Sequence, residues 1–149
     1  MKKIYFVVKV LMIYLFFISS GFVARSNSFD EGKILFDKRE FEKSKIFFEK
    51  DIVFNPKSEK SYLYLAKIFN KKENDQEEEI NLNNVLLLNS KNDEAIYMLT
   101  LLKIKQSNYH EAKELIKKFN LVCNSFCLKI DEMQEKFEKL IPKDAKDKN

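Results

Sequence analysis

A chain of 149 residues holds one domain with a moderate core and little more. Only two glycines, Gly21 and Gly32, and two prolines, Pro56 and Pro142, punctuate it, too few turn residues for a sheet protein, so composition points to helix. Lys2, Lys3 and Lys9 supply three of the four net positive charges; from Arg25 onward 24 basic residues face 23 acidic ones, a balance that argues against a nucleic-acid partner.

The first element differs in kind from the rest. Lys2, Lys3 and Lys9 precede an unbroken apolar run over residues 10–18, and Ser19, Ser20 and Gly21 follow it. This is the order of a secretory signal: basic start, apolar middle, small residues at the cleavage point. The run after Lys9 is short for a bilayer span of about 20 residues, but counting from Ile4 to Ala24 nearly reaches that length. Residues 1–24 are therefore expected to be a cleaved signal or an uncleaved anchor; a buried core helix is the remaining alternative. Either of the first two places the remainder outside the cytoplasm, on the periplasmic or extracellular side, attached to the inner membrane if the segment is retained.

Beyond the leader the chain repeats itself at a fixed interval. Phe41, Asp75 and Tyr109 are 34 residues apart; so are Phe48, Leu82 and Ile116, and so are Gly32, Ala66 and Thr100. Leu65 and Leu99 share the interval, and Pro56 is matched by Ser90. The stretch 41–56, with Phe41, Ser44, Phe48 and Pro56, resembles the second helix of a tetratricopeptide repeat, and 108–118, with Tyr109, Ala112 and Ile116, resembles the same helix two units later. Tyr62, Leu65, Ala66 and Phe69 resemble the first helix of such a repeat. The resemblance implies an all-α fold, a short right-handed solenoid of about three helical hairpins over residues 25–58, 59–92 and 93–122. Small residues such as Gly32, Ser44, Ala66 and Ala112 let paired helices approach, while large ones fill the space between pairs.

Departures from the pattern are concentrated in the later units. Asp75 and Glu78 stand where the flanking units carry an aromatic and a small residue, so a looser turn is expected there. Lys103 replaces an aromatic. Asn108 with Glu111, and Ser28 with Glu31, have capping-box spacing, and Asn92 or Asp93 is placed to cap the third unit. Phe126, Ile130, Met133, Phe137 and Leu140 then form one apolar stripe, expected to be a capping helix over residues 123–141 that covers the last repeat. Residues 142–149 are polar and expected to be disordered.

Catalytic constellations are scarce, and no enzymatic activity, cofactor or metal is expected. His110 is the only histidine and has no second imidazole to share a metal. The glycines needed for a phosphate-binding loop are missing. Glu77, Glu78 and Glu79 are expected to be a solvated helix start, where the dipole favours negative charge. For Cys123 and Cys127, three residues apart in between, a local disulfide, free thiols and redox chemistry all stay open. In proteins of the resembled family the concave face, lined by the first helix of each pair, commonly receives a peptide. Helical spacing puts Lys60, Leu63, Lys67, Asn70 and Lys71 on that face in the second unit, and Tyr97, Leu101, Ile104 and Lys105 in the third. The resemblance thus implies a non-catalytic scaffold for a protein or peptide partner, with the membrane touched only through an uncleaved N-terminal segment. A membrane-anchored assembly factor or chaperone-like holdase, and more remotely a thiol redox protein, are the alternatives.

Overall fold

A computed structural model describes residues 28–140; the leader and the tail 142–149 lie outside the described residues. Six helices come first, in three antiparallel pairs: α1 (Ser28–Asp37) with α2 (Phe41–Phe54), α3 (Glu59–Lys71) with α4 (Asp75–Leu88), and α5 (Asp93–Lys105) with α6 (Tyr109–Val122). A 3₁₀ turn (Cys127–Lys129) leads into α7 (Ile130–Leu140), which packs on α5 and α6. Each pair packs on the next, which is the solenoid arrangement. Among the described residues no helix is long and apolar enough to cross a membrane.

The turns within pairs are built alike. Arg39, Glu73 and Ser107, 34 residues apart, take positive φ of 62°, 55° and 59°. In each case the next amide donates back into the helix that has just ended: Glu40 to Leu35, Asn74 to Phe69 and Asn108 to Lys103, at 2.9–3.0 Å. This left-handed cap satisfies carbonyls that a helix end leaves unpaired, and it usually employs glycine. Here three side-chain-bearing residues accept the conformation instead. Asn74, Asn92 and Asn108 then cap the following helices, their side chains accepting from the amides of Glu77, Ala95 and Glu111.

Close approach within the first pair has a definite cause. A Cβ on Gly32 would stand 2.8 Å from Cε1 of the fully buried Phe48. Ser44, also buried, donates its hydroxyl to the Gly32 carbonyl at 2.7 Å. The core divides into two clusters that share one helix. Phe48 packs with Leu65, Ile68 and Phe69 of α3, while Leu63 and Ala66 on the other side of α3 join Leu82, Val85, Ile96, Leu99, Phe119 and Met133. Met133 is fully buried, so α7 covers the end of the larger cluster.

Carboxylates at the start of α3 and α5 lock the joints between repeats. Glu59 accepts from the side chains of Asn89 and Asn92. Asp93, one repeat later, accepts from the backbone amides of Asn124, Ser125 and Phe126 at 2.8, 2.6 and 2.9 Å. Partial burial alone would raise the Asp93 pKa, but those amides outweigh it and hold it below the ordinary value. In the same loop Cys123 and Cys127 are joined by a disulfide, with Cα atoms 5.2 Å apart.

Two expectations about the middle unit are corrected. The α3–α4 turn is not loose, because Glu73 and Asn74 close it as their counterparts close the other two. Nor is Glu78 solvated: it is 2% exposed, and the Asn70 amide donates to both of its oxygens at 3.1 Å. It occupies the place where Ser44 and Ala112 let the paired helices approach, so the packing that needs a small residue there encloses the carboxyl instead. Burial pushes its pKa up, and Asn70 offsets only part of that effect.

Candidate binding face

The face formed by the first helices of the pairs is richest in rings between α1 and α3. Phe29 and Phe36 of α1 both meet the edge of Tyr64 on α3, with ring centroids 5.6 and 5.0 Å apart, and Phe48 supports Tyr64 from beneath at 5.0 Å. Lysines rim this cluster. Lys60 lies over Phe29 with its ammonium 5.9 Å from the ring centroid, and Lys67 lies over Tyr64 at 4.8 Å, both within cation–π range. Toward the C-terminal end of α3, Lys71 lies 5.6 Å over Phe41. There the face opens into a cavity of ≈ 410 Å³ lined by Phe36, Asp37, Arg39, Phe41 and Lys71. Lys33 of α1 pairs with Asp37 at 2.7 Å, and that bond, with the nearby Tyr64, raises the lysine's pKa. Lys60, Arg39 and Lys71 have no carboxylate within salt-bridge distance among the described residues. The cavity therefore joins an aromatic wall to two cations and one already paired acid.

The residues that spacing assigned to the concave face are distributed unevenly. Lys60 and Lys71 are exposed on it. Lys67 is there too, but half-buried and bridged to Glu94 of α5 at 2.8 Å. Asn70 is exposed, with its amide committed to Glu78. Lys105 is exposed and paired with Asp75 at 2.6 Å. Leu101 is half-buried and Ile104 is in the core.

Two of those assignments are corrected. Leu63 is only 8% exposed, because α3 faces a neighbouring pair on each side and the Leu63 side packs into the larger cluster. Tyr97 does not line an open groove. α7 lies against it: its ring packs on Phe119 and Phe126, and its hydroxyl donates to Glu132 at 3.1 Å. Glu132 also accepts from Lys129 and Lys136, and these contacts hold its pKa down to about 2. Burial, then Glu132, pushes the Tyr97 hydroxyl pKa up. The capping helix thus closes the third unit's share of the face.

Phe29, Lys33 and Phe36 were missed, although the repeat contained the signal. They stand 34 residues before Leu63, Lys67 and Asn70, so subtracting one period from the second-unit assignments finds them. Tyr64 and Arg39 needed the packing itself. Also missed was Lys103, 5% exposed, whose ammonium meets Glu79 at 2.6 Å and Glu111 at 3.1 Å. Burial opposes its charge, but the two carboxylates more than compensate and its pKa is raised. His110 is exposed, and no group of three or more metal-ligating side chains occurs among the described residues.

Comparison with solved structures places these helices beside the TPR2B domain in the TPR2B-domain:pHsp70 complex of yeast Sti1. The likeness has a TM-score of 0.70 and covers 76% of this chain and 95% of that one, at 18% identity. The fold is a tetratricopeptide-type solenoid. No family model matches the sequence, and no curated protein does. At this identity the likeness carries the fold; the chemistry of the face has to be argued from its own residues.

Proposed function

We propose that this tetratricopeptide-type solenoid is a non-catalytic scaffold that holds an acidic peptide segment of a partner protein on the α1–α3 face, outside the cytoplasm. The observation that carries the reading is the ≈ 410 Å³ cavity in which Arg39 and Lys71 stand beside Phe36 and Phe41, continuous in sequence and helix face with Tyr64 and Lys60. Aromatic walls supply apolar contact, and two cations without salt-bridge partners supply charge-assisted hydrogen bonds to a carboxylate. That the similar yeast domain is in complex with pHsp70 supports a peptide-holding role for the same fold. Export rests on the order of charges and apolar residues in 1–24.

The test is fluorescence anisotropy with a labelled Glu/Leu peptide ending in a free carboxylate. Saturable binding to the full chain is expected, and Lys60→Glu with Lys71→Glu should weaken it by about tenfold or more, the size of one lost charge-assisted contact. Equal binding by the double variant, or no saturable binding by the wild type, overturns the reading. Tyr97→Phe, which removes a hydroxyl covered by α7, should leave the affinity unchanged.

A further inference from the structure

One edge of the solenoid carries an exposed apolar pattern that the α1–α3 face does not use. The second helices α2, α4 and α6 all end at this edge, and α3 and α5 begin there. Val53, Leu87 and Leu121, 34 residues apart at the last turn of those second helices, are 74%, 83% and 86% exposed. Phe54 beside Val53 is 65% exposed. Leu128, in the loop that Asp93 ties to the same edge, is 96% exposed. None of these positions is needed for packing, yet each repeat fills its copy with a large apolar side chain. Lys57 and Lys91, again 34 residues apart, are exposed in the loops just beyond. The carboxylates that open α3 and α5 are turned onto their capping partners, Glu59 onto Asn89 and Asn92, and Asp93 onto backbone amides.

The chain also enters the domain at this edge, because α1 starts there with Ser28. Only Arg25, Ser26 and Asn27 separate that point from Ala24, where the apolar stretch beginning at Ile4 ends. Three residues reach about 10 Å at most. A retained N-terminal segment in a bilayer would hold this edge, and no other, against the lipid headgroups.

We infer that the edge bearing Val53, Phe54, Leu87, Leu121 and Leu128 docks on an anionic membrane surface, with Lys57 and Lys91 meeting lipid phosphates. The inference goes beyond the peptide-holding reading and rests on retention of the N-terminal segment. Apolar side chains strung along a ridge suit the boundary between headgroups and acyl chains, into which such faces sink about 5–10 Å. Lysines beside them add attraction to anionic lipid. A ridge offers a protein partner no pocket to fill, whereas a bilayer needs none. Docking in this way leaves the α1–α3 face turned sideways and accessible.

Cys123 and Cys127 are bonded and no free cysteine occurs among the described residues, so a single introduced thiol labels cleanly. The full chain is reconstituted into vesicles of phosphatidylcholine and phosphatidylglycerol with an environment-sensitive dye at Leu87→Cys, and separately at Lys38→Cys in the α1–α2 turn on the opposite edge. The Leu87 label should shift to shorter wavelength and be quenched by brominated acyl chains, while the Lys38 label should do neither. Lys57→Glu with Lys91→Glu should abolish the Leu87 shift while the chain still floats with the vesicles. Overturning results are equal behaviour of the two labels, an unshifted Leu87 label on floating protein, or protein that does not float. A Leu87 shift that needs no lipid and grows with protein concentration also overturns it, because the edge would then join two copies. Peptide anisotropy on the same charge-reversed variant should be unaltered, which separates failure here from failure of the peptide-holding reading.

Discussion

Lys103 shows how a single departure from the repeat pattern acts. Its counterpart one repeat earlier is Phe69, itself 8% exposed, so the position demands burial whatever the residue. The ammonium is tolerated because Glu79 and Glu111 reach it from outside, their side chains 30% and 43% exposed. The two ends of this triad are therefore unequal. Lys103→Met frees two carboxylates that water can hydrate again, and should change stability by no more than about 1 kcal/mol in either direction. Glu79→Ala with Glu111→Ala leaves a buried, unpaired ammonium and should cost about 3 kcal/mol. Urea unfolding at pH 7 compares them; a greater loss from Lys103→Met would sink this account. The sequence marked Lys103 only as out of place. Its partners lie 24 and 8 residues away on two other helices, and no helical period connects them.

At the scale of elements, the joints follow local chemistry and their partners follow the stacking. The three asparagine caps and the helix order were legible because capping acts within a few residues and the period fixes the rest. Burial of Glu78 was not legible, since the same acidic triplet reads as a solvated helix start unless Asn70 is known to face it. Closure over Tyr97 was hidden for a related reason: the apolar stripe of α7 announces a packed helix without saying which part of α5 it covers. The Asp93 joint yields a pH-dependent prediction. Its pKa is depressed in the folded chain, so its stabilisation is fully present above the ordinary value near 3.8 and fades as pH falls through the folded pKa. Asp93→Ala should lower stability by about 1–2 kcal/mol at pH 7, the cost of amides left without an acceptor. Thermal melts of wild type and variant should converge as the pH is lowered below that value. A difference that persists undiminished in acid would show that packing, rather than the carboxylate, holds the α6–α7 loop.

For the molecule as a whole, α3 is the hinge of stability because both core clusters meet on it. The smaller cluster holds α1 and α2 largely through Phe48, and Gly32 is the one residue of α1 that is buried. Phe48→Ala should cost about 3–5 kcal/mol and release the first pair while α4 to α7 stay folded. Hydrogen exchange should then show amides of α1 and α2 losing protection before those of α5 and α6. Uniform loss would mean that the chain unfolds as one unit in spite of its two clusters. The closure of the third unit by α7 sets a scale for the partner. What remains open runs along α3 from Lys60 to Lys71, eleven residues of helix, or about 16 Å at ~1.5 Å per residue. An extended chain advances ~3.3 Å per residue, so the face can read only about five consecutive residues. Any greater selectivity must come from which of those five are acidic and where the carboxylate falls.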